Sequence, residues 1–419
     1  MEDFGCRARE ESALAEIIPS IQAINYSIKH LKRWMKPSAR HVALHFQPAK
    51  ARVEYQPLGV VGIMVPWNYP VFLALGPLIT ALAAGNRAMI KLSEFTPATN
   101  IALAAMLADV FAEDEVAVVT GETEVAAQFS SLPFDHILFT GSTTVGKLVM
   151  KAASANLTPV TLELGGKSPT IIGPDMQTDQ IADRLLFGKA INSGQTCIAP
   201  DYLLCHEDKV DEVIADLKRS YQHMYPRLSG CQQSTAIINP HHYQRLRQLL
   251  HEAQAQGAVV ENLGSESLEQ LEAERKVPVQ IVRNVSDDMR ILNEELFGPI
   301  LPIVTYREID EALAYINQRP RPLALYLFSY DKALQRKVLN ETHAGGVCIN
   351  EAVFHAVQDD LPFGGVGASG MGHYHGAEGF RTLSHAKAVY ERGRINSAKL
   401  IYPPYKNRLL AILARYLSR

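Results

Sequence analysis

This 419-residue chain encodes an α/β fold with two doubly wound, mostly parallel sheets and a small bridging element. Strand-like and helix-like segments alternate in two long series, as repeated βα units do. The strand-like runs are apolar at nearly every position, the pattern expected where helices cover both faces of a sheet. The length also exceeds what one hydrophobic core usually organises.

Residues 11–35 place Leu14, Ile17, Ile18, Ile21, Ile24, Ile28, Leu31 and Met35 mostly three or four apart, which predicts an amphipathic helix on a domain surface, bent near Pro19. From residue 59 the alternation runs through strand-like "GVVGIMV", a helix over 71–84, "AMIKL", a helix over 97–111, "VAVVTG", a short helix, "DHILFTGS", a helix over 143–154 and "VTLELGG". The second series has "PTIIG", a helix from 178 to about 191, "YLLC", a helix near 207–222, "LPIVTY", a helix over 308–317, "LALYLFS", a helix over 331–341 and "GGVCIN". Between 223 and 290 the pattern weakens to loops and one charged surface helix over 241–255.

Composition narrows the functions. With 41 Lys and Arg against 44 Asp and Glu, and a net charge of -3, the chain has no basic surplus for a phosphate backbone. Nucleic acid is therefore not an expected partner. The five cysteines (Cys6, Cys197, Cys205, Cys231, Cys348) are odd in number and lack CxxC spacing, which fits a reducing cytoplasm without disulfides. His373 and His375 stand two apart, but no third ligand cluster accompanies them, so no metal site is expected. The uncharged stretch between Glu54 and Arg87 imitates a membrane span, yet Pro66, Asn68, Pro70 and Pro77 interrupt it. The charged start "MEDFGCRARE" lacks a signal-peptide core. A cytoplasmic protein without integral membrane association is the expectation. The amphipathic, basic tail "YKNRLLAILARYL" is too short to span and is expected to pack on its own or a neighbouring subunit.

Chemistry concentrates in four islands: "PWNYP" (66–70), "LELGGKSP" (162–169), "NSGQTC" (192–197) and "EELFGP" (294–299). Cys197 lies among polar residues, unlike Cys205 and Cys348, whose apolar runs mark packing cysteines. Singly, each island has a bland explanation as a strand end or a loop. Together, in this order, they resemble the aldehyde dehydrogenase superfamily, and "FTGSTTVG", "KLSEFTP" and "LPFGGVGASGMG" extend the resemblance over nearly the whole chain. Within it, "GVVGIMVPWNYP", "SGQTCIAPDYLL" and "LIYPPY" resemble most the coniferyl aldehyde dehydrogenase branch, close to the class 3 enzymes, which take aromatic and longer aliphatic aldehydes.

The resemblance implies an enzyme that oxidises an aldehyde, aromatic and of the coniferyl type, to the acid. A soft thiolate suits the nucleophile's role, which falls to Cys197. The side-chain amide of Asn68 and the Cys197 backbone N–H would hold the oxyanion, and Glu163 would activate the water that hydrolyses the thioester. For the dinucleotide, the resemblance places Gly141 and Ser142 at the pyrophosphate, at the start of a helix, and Lys91 and Glu94 at the adenosine ribose. Glu295 would hold the nicotinamide ribose, with Phe297 packed beside it, and Pro66, Trp67 and Leu164 complete the cofactor set. Glu94 disfavours a 2'-phosphate, so NAD is expected ahead of NADP.

The chain departs from the family pattern at "KLSE", where Leu92 replaces the usual proline. Its "MEDFG" start resembles the end of the family's first helical hairpin, which implies a missing preceding segment and raises an inactive, cofactor-binding protein as one alternative. Transfer of the acyl group to coenzyme A and a cysteine hydrolase are the others; Glu163 argues against the former, and the latter needs a histidine base. The expected domains are a cofactor domain over 1–165, with a bridging segment near 37–56; a catalytic domain over 166–366; a return to the cofactor domain over 367–383; a bridging strand over 384–396 that adds to a partner subunit in a homodimer; and a tail over 397–419. His355 lies in a loop expected to approach the site, as a wall or surface residue.

Overall fold

The computed structural model describes residues 2–396 and, beyond them, positions 399, 402, 403, 408, 412 and 415. The tail expected over 397–419 lies largely outside the described residues.

In chain order the strands are β1 (Ser38–Arg40), β2 (Lys50–Pro57), β3 (Val60–Met64), β4 (Arg87–Lys91), β5 (Val116–Val119), β6 (His136–Gly141), β7 (Val160–Leu164) and β8 (Pro169–Ile172). There follow β9 (Tyr202–His206), β10 (Val259–Asn262), β11 (Gln280–Arg283), β12 (Ile300–Tyr306), β13 (Ala324–Phe328), β14 (Gly346–Ile349), β15 (Gly370–Met371) and β16 (Ser384–Glu391). One sheet has the order β15-β7-β6-β3-β4-β5 and is parallel except for β15. The second has the order β10-β11-β12-β9-β8-β13-β14 and is parallel except for β10. The third, β1-β2-β16, is small and antiparallel.

Apolar strands explain the first two sheets. Ile63, Ile90 and Ile137 are fully buried at the centre of the first, and Leu203, Leu301 and Leu327 at the centre of the second. Each such side chain contributes roughly 1.5–3 kcal/mol when removed from water. A further apolar cluster sits in the seam between the sheets. There Leu138 of β6 meets Tyr326 of β13, Phe363 and Tyr374, with Cys197 packed against them.

Two expectations need correction. The weak region contains β10 and β11, and its helix, Pro240–Ala255, buries Tyr243, Leu246, Leu249 and Leu250 rather than lying free on the surface. The N-terminal helix exists as Arg9–Ser12, a wider turn over Ala13–Ile17, and Ile18–Trp34. The wide turn directly precedes Pro19, which has no N–H to give. Most of its aliphatic row, however, faces outward: Leu14, Ile21 and Ile28 are exposed, while Leu31 of that row packs on the core with Trp34 and Tyr26. Among the described residues, no helix is long and apolar enough to cross a membrane.

Candidate active site

Cys197 follows a strained turn. Asn192, Ser193 and Gly194 all have left-handed backbone angles, φ 50°, 52° and 69°, a conformation that persists only where neighbours enforce it. The polar residues around the thiol are those enforcers. Asn192 Nδ2 donates to the Asn68 and Gln195 carbonyls at 3.0 and 3.1 Å, and Gln195 Nε2 donates to the Asn192 and Ala236 carbonyls. Gln195 Oε1 accepts the Ile238 N–H, and Ser193 Oγ donates to the Thr235 carbonyl. At Gly194 a side chain would strike the Gly298 carbonyl. Beyond the cysteine, the buried Lys189 ammonium donates to the Pro200 carbonyl at 2.8 Å.

The structure brings Cys197, Glu163 and Asn68 to this one place. Glu163 ends β7, buried, with neither carboxyl oxygen hydrogen-bonded. Burial holds its pKa well above the ordinary carboxylate range. Cys197 is half-buried, and its thiol is pushed up to about 12 by burial, then by the Glu295 and Glu163 carboxyls. The Cys197 and Ile198 N–H groups act the other way on the sulfur. The Tyr374 phenol feels both Glu163 and Cys197, and the thiol feels Glu163, so the carboxyl and the thiol are neighbours. The buried Asn68 sends its side-chain N–H to the Gln195 carbonyl at 3.1 Å, which docks the β3 loop on the cysteine turn.

The other expected residues form a second group beside the first sheet. Lys91, at the end of β4, pairs with Glu94 at 3.1 Å. In place of the usual proline, the fully buried Leu92 gives its N–H to the Val119 carbonyl, so a hydrogen bond steadies this loop. Ser142 caps the helix Thr143–Ala153, its Oγ accepting the Val145 N–H, and at Gly141 a Cβ would press on the Phe139 ring. Leu164 is buried against Gly146 of that helix. Burial raises the Glu295 carboxyl to about 8, and its Oε1 is buried without a partner. It lies against Gly165, where any Cβ would overlap it. The Trp67 and Phe297 rings meet edge-on at 5.4 Å, and Pro66 leads into Trp67.

Sequence reasoning missed the supports. Lys167 donates to the Ile291 and Glu294 carbonyls and pairs with Asp201, whose other oxygen accepts the Leu296 N–H; Arg245 donates to the Glu295 and Leu296 carbonyls. These bonds pin the Glu295–Phe297 segment. "GGKSP" beside a chemically loaded glutamate was the available signal for Lys167. His355 lies by Tyr326 and Phe363, both ring nitrogens unpartnered, its imidazole pushed down to about 4 by burial. His375 stacks on Phe363 and borders a narrow crevice that Tyr26, Phe72 and Thr80 also line. Among the described residues no His, Cys, Asp and Glu cluster is arranged for a metal.

An α/β chain whose half-buried thiol neighbours a bare buried carboxyl, next to a parallel sheet and a capped helix start, belongs with cysteine-based enzymes that use a dinucleotide. The chain is a member of the aldehyde dehydrogenase family, whose model matches residues 3–389. It is 54% identical over 417 residues to a probable coniferyl aldehyde dehydrogenase of Pseudomonas aeruginosa, covering 100% of this chain and 87% of that one. The substrate-bound structure of Staphylococcus aureus AldH superimposes with a TM-score of 0.91 at 40% identity, covering 98% and 88% of the two chains. The Mycobacterium tuberculosis aldehyde dehydrogenase complexed with NAD+ superimposes with a TM-score of 0.84 at 28% identity, covering 94% and 80%.

Proposed function

We propose that this chain oxidises an aromatic aldehyde of the coniferyl type to its carboxylic acid with NAD, and accepts NADP less well. The carrying observation is the bare Glu163 carboxyl beside the Cys197 thiol. Cys197 Sγ loses its proton to solvent and bonds to the carbonyl carbon as the C=O π pair moves to oxygen, and the free N–H of the Asn68 amide, with the Cys197 N–H, holds that oxyanion. The dinucleotide, when bound, supplies the hydride acceptor. Glu163 then takes a proton from the water that attacks the thioester, and the carbon–sulfur bond breaks to release the acid.

The dinucleotide fits the residues present. The orphaned Glu295 oxygen and the Lys91–Glu94 pair would receive ribose hydroxyls, and the Ser142-capped helix start would receive phosphate. We assign the cofactor domain to 1–165 with 367–383, the catalytic domain to 166–366, and the bridging element to residues near 37–56 and 384–396. The outer edges of β16 and β14 carry no neighbour among the described strands, which supports strand addition between two copies in a cytoplasmic homodimer.

NADH formation against a panel of aromatic and aliphatic aldehydes tests the reading. Activity on cinnamyl-type aldehydes, lost in Cys197→Ala, is expected. NADH that appears only with coenzyme A, or undiminished turnover in Cys197→Ala, contradicts it.

A further inference from the structure

Arg7 is buried, although its sequence neighbourhood gives no reason for an interior cation. Its Nη1 donates to the Asn68 carbonyl at 3.2 Å and pairs with Glu16 at 3.0 Å, while Nε faces Glu11 at 3.6 Å. The guanidinium also stacks by the Phe4 and Tyr69 rings at 4.8 and 5.1 Å. Its two carboxylates reach in different directions. Glu16 accepts the Val71 and Phe72 N–H groups, which follow Asn68 into the next helix. Glu11 accepts the Asn192 N–H and the Thr235 hydroxyl, which belong to the cysteine turn and its support. Tyr69 closes the circuit through the Thr196 hydroxyl at 2.8 Å, one residue before the nucleophile.

We infer that Arg7 is a positioning residue for acylation: with Glu11 and Glu16 it sets the Asn68 amide at a fixed place relative to Cys197. The inference rests on the oxyanion role proposed for Asn68. The two loops come from different sheets, so their relative placement rests on side-chain bonds, those of Asn68, Asn192 and Tyr69 together with the Arg7 group. The guanidinium plane lies by two rings while one nitrogen meets both Asn68 and Glu16 and another faces Glu11, and a lysine's ammonium has no plane to keep this placement. Misplacement by about 1 Å at such a site costs about 100-fold in rate.

The test measures the burst of NADH formation, the rate at which iodoacetamide alkylates Cys197, and thermal unfolding. Arg7→Lys keeps the charge that Glu11 and Glu16 need, and Glu11→Ala removes the tether to Asn192 and Thr235 together with the partner that Arg7 Nε faces. Both are expected to slow the burst roughly 10- to 100-fold and to leave alkylation, which needs no oxyanion donor, nearly unchanged. Asn68→Ala alone should slow the burst about 10²- to 10³-fold. Adding Arg7→Lys to it should then cost almost nothing more, because the amide being positioned is gone. A parental burst in Arg7→Lys, losses that multiply in the double variant, or alkylation falling in step with the burst would each overturn the inference. A parental burst in Asn68→Ala would instead remove the oxyanion reading itself, and Arg7's role with it.

Discussion

Glu163→Gln separates the two halves of the reaction. The carboxyl is buried, neither oxygen has a donor, and only burial shifts it, upward. As a base it must be ionised, so hydrolysis of the thioester should decline as pH falls through that raised pKa, above the range of a free glutamate. A general base contributes about 10²- to 10⁴-fold, or roughly 3–5 kcal/mol of barrier. Rapid mixing should therefore show a retained NADH burst in Glu163→Gln, a steady rate lower by about that factor, and loss of the acid limb. Stability supplies a second readout. A carboxyl whose folded pKa is raised contributes stability that is complete below the unfolded pKa near 4.5 and is lost as pH rises through the folded pKa. The amide has no such loss, so denaturant unfolding should show Glu163→Gln gaining on the parent as pH rises from 4 to 9. A parental steady rate, or a burst that disappears together with it, would refute the assignment of Glu163 to deacylation.

Gly165→Ala would drive a methyl into the Glu295 carboxyl; calorimetric titration should show NAD binding weakened about tenfold or more, near 1.4 kcal/mol. Leu92→Pro would remove the bond to the Val119 carbonyl and a buried aliphatic side chain. The denaturant midpoint should fall by an equivalent of about 2–4 kcal/mol, and an unchanged midpoint would contradict the structural account of this loop. Glu94→Gln removes the charge that repels a 2'-phosphate, so the NADP-to-NAD ratio of kcat/KM should rise about tenfold in steady-state assays.

The alternation of apolar strands and helices was legible because both large sheets are covered on both faces, which leaves runs such as "VVGIM" unmistakable. β10 and β11 were not, since each is four residues long and Glu261 and Asn262 dilute the pattern. For the N-terminal helix, the periodicity was correct but did not say which face the core takes; Trp34 and Tyr26 decided that through contacts with Phe380 and the following helix. In the site, the identities of Cys197, Glu163 and Asn68 stood out by motif. The bonds that hold them did not, because Gln195 finds its partners at Ala236 and Ile238, and Arg7 finds Asn68 across 61 positions.

Burial of the resting sulfur has a consequence for its exposure to oxidants. Peroxides and alkylating agents attack the anion, and a thiol whose pKa burial pushes up offers them less of it than a free cysteine does.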